Sequence, residues 1–317
     1  MAECRVCFRH CKLTEGQTGF CGARICAGGV VRAAGYGRIT SMAIDPIEKK
    51  PLNRFMPGSY ILSLGSYGCN LRCPFCQNYE ISWSEQAMRL GEWAEYIEPE
   101  QVVQIARRYR RRGNVGVAYT YNEPLVGYEF VRDTARLVHE AGMVNVLVSN
   151  GTAEIEVLEE ILPYIDAMNI DLKGFTDRYY TGVLGGDRQM VMRFIERAVQ
   201  SCHVELTTLI IPGENDSEEE MREMCSWIAA LGCPKDREPA EPAHDSTADG
   251  PGLSGAAKTA AETDGESVQK KGSVPLHISR FFPRFHMTDR DAASVKKIYR
   301  LADVAREQLE YVYTGNC

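Results

Sequence analysis

From about residue 60 onward, short β-branched runs alternate with longer stretches whose apolar positions recur at helical spacing. The runs Tyr60–Ser66, Val115–Tyr119, Val144–Ser149, Ala167–Leu172, Val204–Ile211 and Pro275–Arg280 read as strands. The stretches near 99–112, 127–142, 154–163, 187–202 and 217–231, and a last one near 288–309, read as amphipathic helices. Strand–helix alternation predicts an α/β fold, a parallel sheet covered by helices, as a doubly wound sheet or a partial barrel. The 317 residues leave too little chain for a full eight-unit barrel. Four predicted strands are followed at once by polar or glycine-containing segments: Thr120–Pro124, Asn150–Thr152, Lys173–Gly174 and Pro212–Asp216. The C-terminal ends of parallel strands are where α/β proteins build their sites, so these segments are site candidates.

Two regions break the pattern. Residues 1–57 are rich in cysteine and glycine with little helical period, a leader too short for an ordinary core without a metal. Residues 58–317 form the second domain, interrupted by Lys235–Ser273, where Pro, Ala, Glu, Asp, Ser, Thr and Gly replace almost all large apolar side chains. Such a stretch buries too little surface to offset its ordering entropy and is expected to be a disordered insertion.

Charge and composition then narrow the function. The net charge is −7, and the one basic run, Arg107–Arg112, falls at a predicted helix end, where the helix dipole favours cations. Nucleic acid is therefore not an expected partner. No signal-peptide pattern and no membrane-length apolar run is present, so no membrane association and a cytoplasmic location are expected.

Cysteine carries the chemistry. Of 12 cysteines, Cys4, Cys7, Cys11, Cys21, Cys26, Cys69, Cys73 and Cys76 crowd the first quarter of the chain, which in a cytosolic protein points to metal or redox chemistry. Cys202 and Cys225 lie on apolar helix faces and read as buried structural thiols. Cys69, Cys73 and Cys76 form C-x3-C-x2-C directly after the first strand. Three thiolates on one loop can grip one face of an iron–sulfur cube and leave its fourth iron open. A structural zinc site would want four closed ligands, and no fourth lies near. The leader set Cys4-x2-Cys7-x3-Cys11-x9-Cys21 has its own four ligands, suited to a zinc ion or an auxiliary cluster.

The triad, with Phe75 before its third cysteine, resembles the signature of the radical S-adenosylmethionine (SAM) superfamily. The run Asp45-Pro46-Ile47-Glu48-Lys49-Lys50-Pro51-Leu52, then Pro57-Gly58-Ser59 and Cys76-Gln77-Asn78, is similar to the pyruvate formate-lyase-activating-enzyme-like group, and within it to the radical SAM member of the AmmeMemoRadiSam system. The resemblance implies a partial (β/α)6 TIM-like barrel, a [4Fe-4S] cluster on Cys69, Cys73 and Cys76, and SAM across the strand tops. It places Phe75, Asn122, Glu123, Asn150, Asp171 and Lys173 at the SAM site, Glu123 toward the SAM amino group. Substrate contact is implied for His277 and Arg280, although a histidine satisfied within the core suits His277 equally. The implied activity is cleavage of SAM to a 5′-deoxyadenosyl radical that abstracts hydrogen from a substrate. The implied partners are a flavodoxin or ferredoxin as electron donor, and Memo-type and AMMECR-type proteins. Two alternatives stay open: an activase that installs a glycyl radical on a larger enzyme, and a zinc-stabilised scaffold without redox chemistry. Asn53 and Arg54 stand where the group usually has an aromatic residue and a histidine, and the group usually continues beyond the final Tyr311-Val312-Tyr313 strand into a further tail.

Deleting Lys235–Ser273 is expected to leave SAM affinity unchanged in calorimetric titration, because the segment contributes none of the site candidates.

Overall fold

Each β-branched run becomes a strand because its alternating side chains are buried against helices on one side and the sheet's interior on the other. The structure, a computed structural model, describes residues 1–231 and 271–317. Among them, an eight-stranded sheet comprises β1 (Ser41–Pro46), β2 (Tyr60–Gly65), β3 (Asn114–Tyr119), β4 (Val144–Ser149), β5 (Ala167–Asp171), β6 (His203–Ile210), β7 (Leu276–Arg280) and β8 (Val312–Gly315). The strands neighbour one another in chain order, and every pairing from β2 to β8 is parallel. The crossovers carry α1 (Pro99–Tyr109), α2 (Tyr128–Glu140), α3 (Ile155–Ile161), α4 (Arg188–Ala198), α5 (Glu218–Ala230) and α6 (Val295–Arg306). This is the mixed α/β arrangement expected, a mostly parallel sheet of β/α units whose two edges, β1 and β8, do not meet. Residues 235–270 of the expected insertion lie outside the described residues.

Local chemistry explains the helix boundaries. Pro99 opens α1 beneath a capping box in which the Gln101 side chain accepts from Glu98 N–H at 2.8 Å. Asp187 caps α4 through Met190 N–H at 3.1 Å, and Ser217 caps α5 through Glu220 N–H at 3.1 Å. Along α2, Phe130, Val131, Thr134, Ala135 and Val138 are buried at helical spacing. The last helix starts at Val295 rather than near 288, because Phe281 to Met287 and the polar residues after it form a strap instead.

The leader contributes more to the sheet than its composition predicts. Its last strand, β1, pairs antiparallel with the whole of β2, from Ser41↔Gly65 to Pro46↔Tyr60. Ser-Met-Ala-Ile-Asp-Pro lacks a β-branched run, so its strand character comes from the partner edge it meets. The rest of the leader folds into short hairpins, Ala2–Glu3 with Lys12–Leu13 and Arg24–Ala27 with Val30–Ala33. Among the described residues no helix is long and apolar enough to cross a membrane.

Between β1 and β2, residues 47–59 turn under the N-terminal end of β2. Ile47 and Leu52 are fully buried in a cluster with Ile61, Ala118, Val146 and Ala167. Each such side chain contributes roughly 1.5–3 kcal/mol by leaving water. The turn is tied to Glu205 on β6, a fully buried carboxylate that accepts from Asn53 N–H at 3.0 Å and Arg54 N–H at 2.7 Å. His203 and His277 reach the same carboxylate at 3.0 and 2.7 Å. Burial alone would raise the Glu205 pKa, but the two histidines and the Arg54 N–H outweigh it and hold it at about 2. Because backbone N–H groups make this contact, the unusual Asn53 and Arg54 side chains do not disturb it.

The Glu205 carboxylate, depressed from 4.5 to about 2, adds stability that is full above pH 4.5 and fades as pH falls toward 2. Glu205→Gln is expected to lower stability by about 3 kcal/mol at neutral pH and to flatten the acid limb of a Tm-against-pH series measured by calorimetry.

Candidate active site at the strand tops

The loop after β2 carries Cys69, Cys73 and Cys76, and its shape is imposed by close contacts. Gly68 has φ +90°, and a Cβ there would stand 2.7 Å from both the Cys21 carbonyl oxygen and the Ala23 Cβ. Only glycine meets both demands. Asn122, at the end of β3, braces the start of the loop: its Oδ1 accepts from Ser66 N–H at 3.0 Å and its Nδ2 donates to Gly68 O at 3.1 Å and Glu123 O at 3.2 Å. Arg72 holds the middle, donating to the Cys69 and Leu71 carbonyls at 2.8 Å each and to the Phe20 carbonyl.

Three strand tops converge on this loop. Glu123 is buried, accepting from Leu125 N–H at 3.1 Å and Ser149 Oγ at 2.9 Å through Oε1, and from Asn150 N–H at 2.8 Å through Oε2. Burial pushes its pKa up to about 7 against those donors, with Asp171 adding to the rise. Asn150 donates from Nδ2 to Cys69 Sγ at 3.8 Å and to Asn70 Oδ1 at 3.0 Å. Asn70 in turn donates to Thr152 Oγ1 at 2.8 Å. Asp171 and Lys173 pair at 2.8 Å, with the lysine side chain only 17% exposed, so this is no solvated surface pair. Asp171 and Cys73 raise the Lys173 pKa against burial, keeping a cation beside the Cys73 thiol.

The triad places three thiols on one loop, Cys73 buried and Cys69 and Cys76 half-buried. Burial pushes Cys69 well up and Cys73 to about 12, with Lys173 opposing the rise at Cys73. Cys76 is raised by burial against donors from Asn78 N–H and Ser82. Leu71 N–H lies 3.4 Å from Cys69 Sγ. Three thiols on one loop, N–H donors aimed at sulfur and a buried ammonium nearby suit an anionic thiolate-bound cluster with one open corner. No group of three or more His, Cys, Asp and Glu side chains among the described residues is drawn together tightly enough to hold a metal ion.

The expected site residues divide accordingly. Glu123, Asn150, Asp171 and Lys173 gather around the triad. Phe75 packs into the main core, and the Asn122 amide is committed to bracing the loop. His277 belongs instead to the buried Glu205 network and stacks on Tyr313 with centroids 5.0 Å apart, which corrects the substrate contact implied for it. The cause is strand geometry, which turns His277 toward a buried carboxylate that needs a donor. Arg280 donates to the Ala293 carbonyl at 2.6 Å and stands 4.7 Å over Phe282. Sequence reasoning missed Asn70 and the aromatic strap that follows β7. There Phe285 stacks on Tyr79 at 4.2 Å and meets Trp83 at 4.8 Å, while His286 N–H donates to Pro74 O at 2.8 Å. The Phe-Phe-Pro-x-Phe run was the available signal.

The sequence pattern of the radical SAM superfamily matches residues 64–225, covering the triad and all four strand-top residues. The chain belongs to the radical SAM superfamily. It is similar over 318 residues, at 36% identity, to the uncharacterized protein MJ0808 of Methanocaldococcus jannaschii, covering 99% of this chain and 81% of that one. It is also similar to the pyruvate formate-lyase 1-activating enzyme of Escherichia coli, 23% identical over 168 residues, 52% of this chain and 67% of that enzyme. Among solved structures it resembles Streptococcus suis SuiB bound to S-adenosylmethionine (TM-score 0.53, 11% identity, 81% of this chain and 52% of SuiB). A radical SAM methyltransferase from Sphaerobacter thermophilus is alike in fold too (TM-score 0.52, 16% identity, 82% of this chain and 67% of that one). Membership of the superfamily implies an enzyme with a [4Fe-4S] cluster and SAM.

Gly68→Ala is expected to cost more than about 1 kcal/mol in chemical denaturation and to reduce iron loading after reconstitution, because the Cys21 carbonyl and the triad loop must move apart.

Proposed function

We propose that this chain cleaves SAM at a cluster held by Cys69, Cys73 and Cys76 and abstracts hydrogen from a substrate yet to be identified. The observation that supports it most is the convergence of Glu123, Asn150 and the Asp171–Lys173 pair on the three-thiol loop. When bound, the cluster and SAM supply one-electron cleavage of the sulfonium C–S bond, releasing methionine and a 5′-deoxyadenosyl radical.

The chain's own residues then have distinct tasks. The Asn150 amide and Leu71 N–H donate to the Cys69 sulfur, and the Lys173 ammonium offsets negative charge at Cys73. Glu123 has three donors on about four acceptor sites, leaving room for the SAM ammonium. Asp171, part-exposed, offers a carboxylate to ribose hydroxyls. Phe285 of the strap packs on Tyr79 and Trp83, and His286 N–H holds the Pro74 carbonyl of the triad loop.

The finer placement follows the residues that resemble the AmmeMemoRadiSam group, with Memo-type and AMMECR-type proteins as partners and a flavodoxin or ferredoxin as electron donor. A second reading, an activase that installs a glycyl radical, is favoured by the similarity to the Escherichia coli activating enzyme.

The test is anaerobic. After reconstitution with iron and sulfide, the protein with SAM and dithionite is expected to form 5′-deoxyadenosine, and Cys73→Ala is expected to reduce it at least about a hundredfold while circular dichroism stays unchanged. Retained cleavage in Cys73→Ala would refute the cluster assignment.

A further inference from the structure

The leader carries a second thiol set, separate from the triad. Cys4, Cys7, Cys11 and Cys21 all line one cavity of about 10 Å³, together with Arg9 and Asn70. That is the space of roughly one water-sized sphere. None of the four is in a disulfide, and Cys4, Cys7 and Cys21 are buried.

Local turns bring them there. Cys4 N–H donates to the Cys11 carbonyl at 2.9 Å and His10 N–H to the Cys7 carbonyl at 3.2 Å, closing the first loop, with His10 in the left-handed region at φ 39°. The short hairpin of Ala2–Glu3 and Lys12–Leu13 staples it. Gly19 N–H to the Arg24 carbonyl at 2.8 Å and Gly22 N–H to the Gly19 carbonyl at 2.9 Å return Cys21 to the same point. The Arg9 guanidinium is the charged neighbour of Cys7, Cys11 and Cys21 and pairs with no carboxylate among the described residues. A tetrathiolate around a divalent ion carries two negative charges, and a cation without a carboxylate partner is what such a centre needs beside it.

We infer that Cys4, Cys7, Cys11 and Cys21 ligate one tetrahedral divalent ion of the zinc class, and that this ion clamps the loop bearing the triad. Four thiols from one short stretch match the closed four-ligand set of a structural divalent ion, which leaves no open position. The clamp is visible in the contacts between the two thiol sets. Cys69 N–H donates to the Cys21 carbonyl at 3.2 Å, Arg9 Nε donates to the Asn70 carbonyl at 2.9 Å, and Arg72 donates to the Phe20 carbonyl. Phe20 lies between the two guanidiniums, 3.4 Å from Arg9 and 3.8 Å from Arg72. Fixing Cys21 therefore fixes both the Cys69 amide and, through Phe20, the arginines that hold the triad loop. Only this clamping role rests on the function proposed above.

The experiment is elemental analysis of the full chain, with and without the triple substitution Cys69→Ala, Cys73→Ala and Cys76→Ala, which removes any triad-bound iron. Both proteins are expected to hold about one zinc per chain. Cys7→Ser and Cys21→Ser are expected to lose it at least about tenfold, whereas Cys26→Ser keeps it. Cys11→His, which preserves a zinc donor, is expected to retain both metal and circular dichroism, separating lost ligation from lost folding. Iron with visible absorbance in the triple variant, or no metal in it, overturns the single-ion assignment. Hydrogen exchange after zinc chelation tests the clamp: faster exchange at the Cys69 amide supports it, and unchanged protection overturns it. Absence of deoxyadenosine formation by a protein that still holds zinc would count against the proposed function and leave the leader site standing.

Discussion

The candidate site depends on one buried carboxylate. Glu123 receives the Leu125 N–H, the Ser149 hydroxyl and the Asn150 N–H, while its own N–H lies 3.3 Å from the Gly68 carbonyl. Two strand tops and the triad loop are thereby joined through a single side chain. From Asn150 the connections pass to the Cys69 sulfur and to Asn70, and from Asn70 to Thr152. A buried carboxylate left short of donors is costly, so the strand tops cannot drift apart without exposing or orphaning it. Cys69, the triad loop and the strand tops are held in one geometry by that constraint.

The contrast with Glu205 shows how surroundings set two buried acids apart. Both are buried, yet Glu123 is raised to about 7 and Glu205 lowered to about 2. Glu205 faces two histidines as well as backbone N–H groups, and its charge is fully met inside the protein. Glu123 has only neutral donors, with Asp171 adding repulsion. Burial therefore prevails over its donors, and a cation brought beside it would lower its pKa. The same comparison separates the two ends of the sheet. The residues under the strand starts, Ile47, Leu52 and the Glu205 network, are a closed plug that serves stability. Those at the strand ends, Glu123, Asn150 and the Asp171–Lys173 pair, gather around the triad loop instead.

The leader belongs to both ends. Its strand β1 completes the edge of the sheet, its turn fills the underside, and its hairpins press Cys21 and Phe20 against the triad loop. The boundary read near residue 57 from composition therefore does not coincide with a boundary in packing, because the strand before it already hydrogen-bonds along all of β2.

The sequence by itself determined the elements whose period and composition are local properties: the alternating strands and helices, the spaced cysteines, and the polar segments at strand ends. These follow from side-chain period and from ligand spacing along one loop, and need no knowledge of neighbours. Glu123, Asn150, Asp171 and Lys173 could be named as candidates from sequence because they stand at strand ends, where parallel sheets carry sites. Only the tertiary structure decided the rest. It assigned Asn122 to a bracing role, Phe75 to the core and His277 to Glu205, since a side chain's partner is chosen by what folding brings opposite it. It also made Ser41–Pro46 a strand, tied Asn70 of the triad loop to Asn150 and Thr152, seated Phe285 on Tyr79 and set the leader thiols around a shared cavity. Each of those contacts joins residues distant along the chain, and long-range pairing leaves no periodic trace in the sequence.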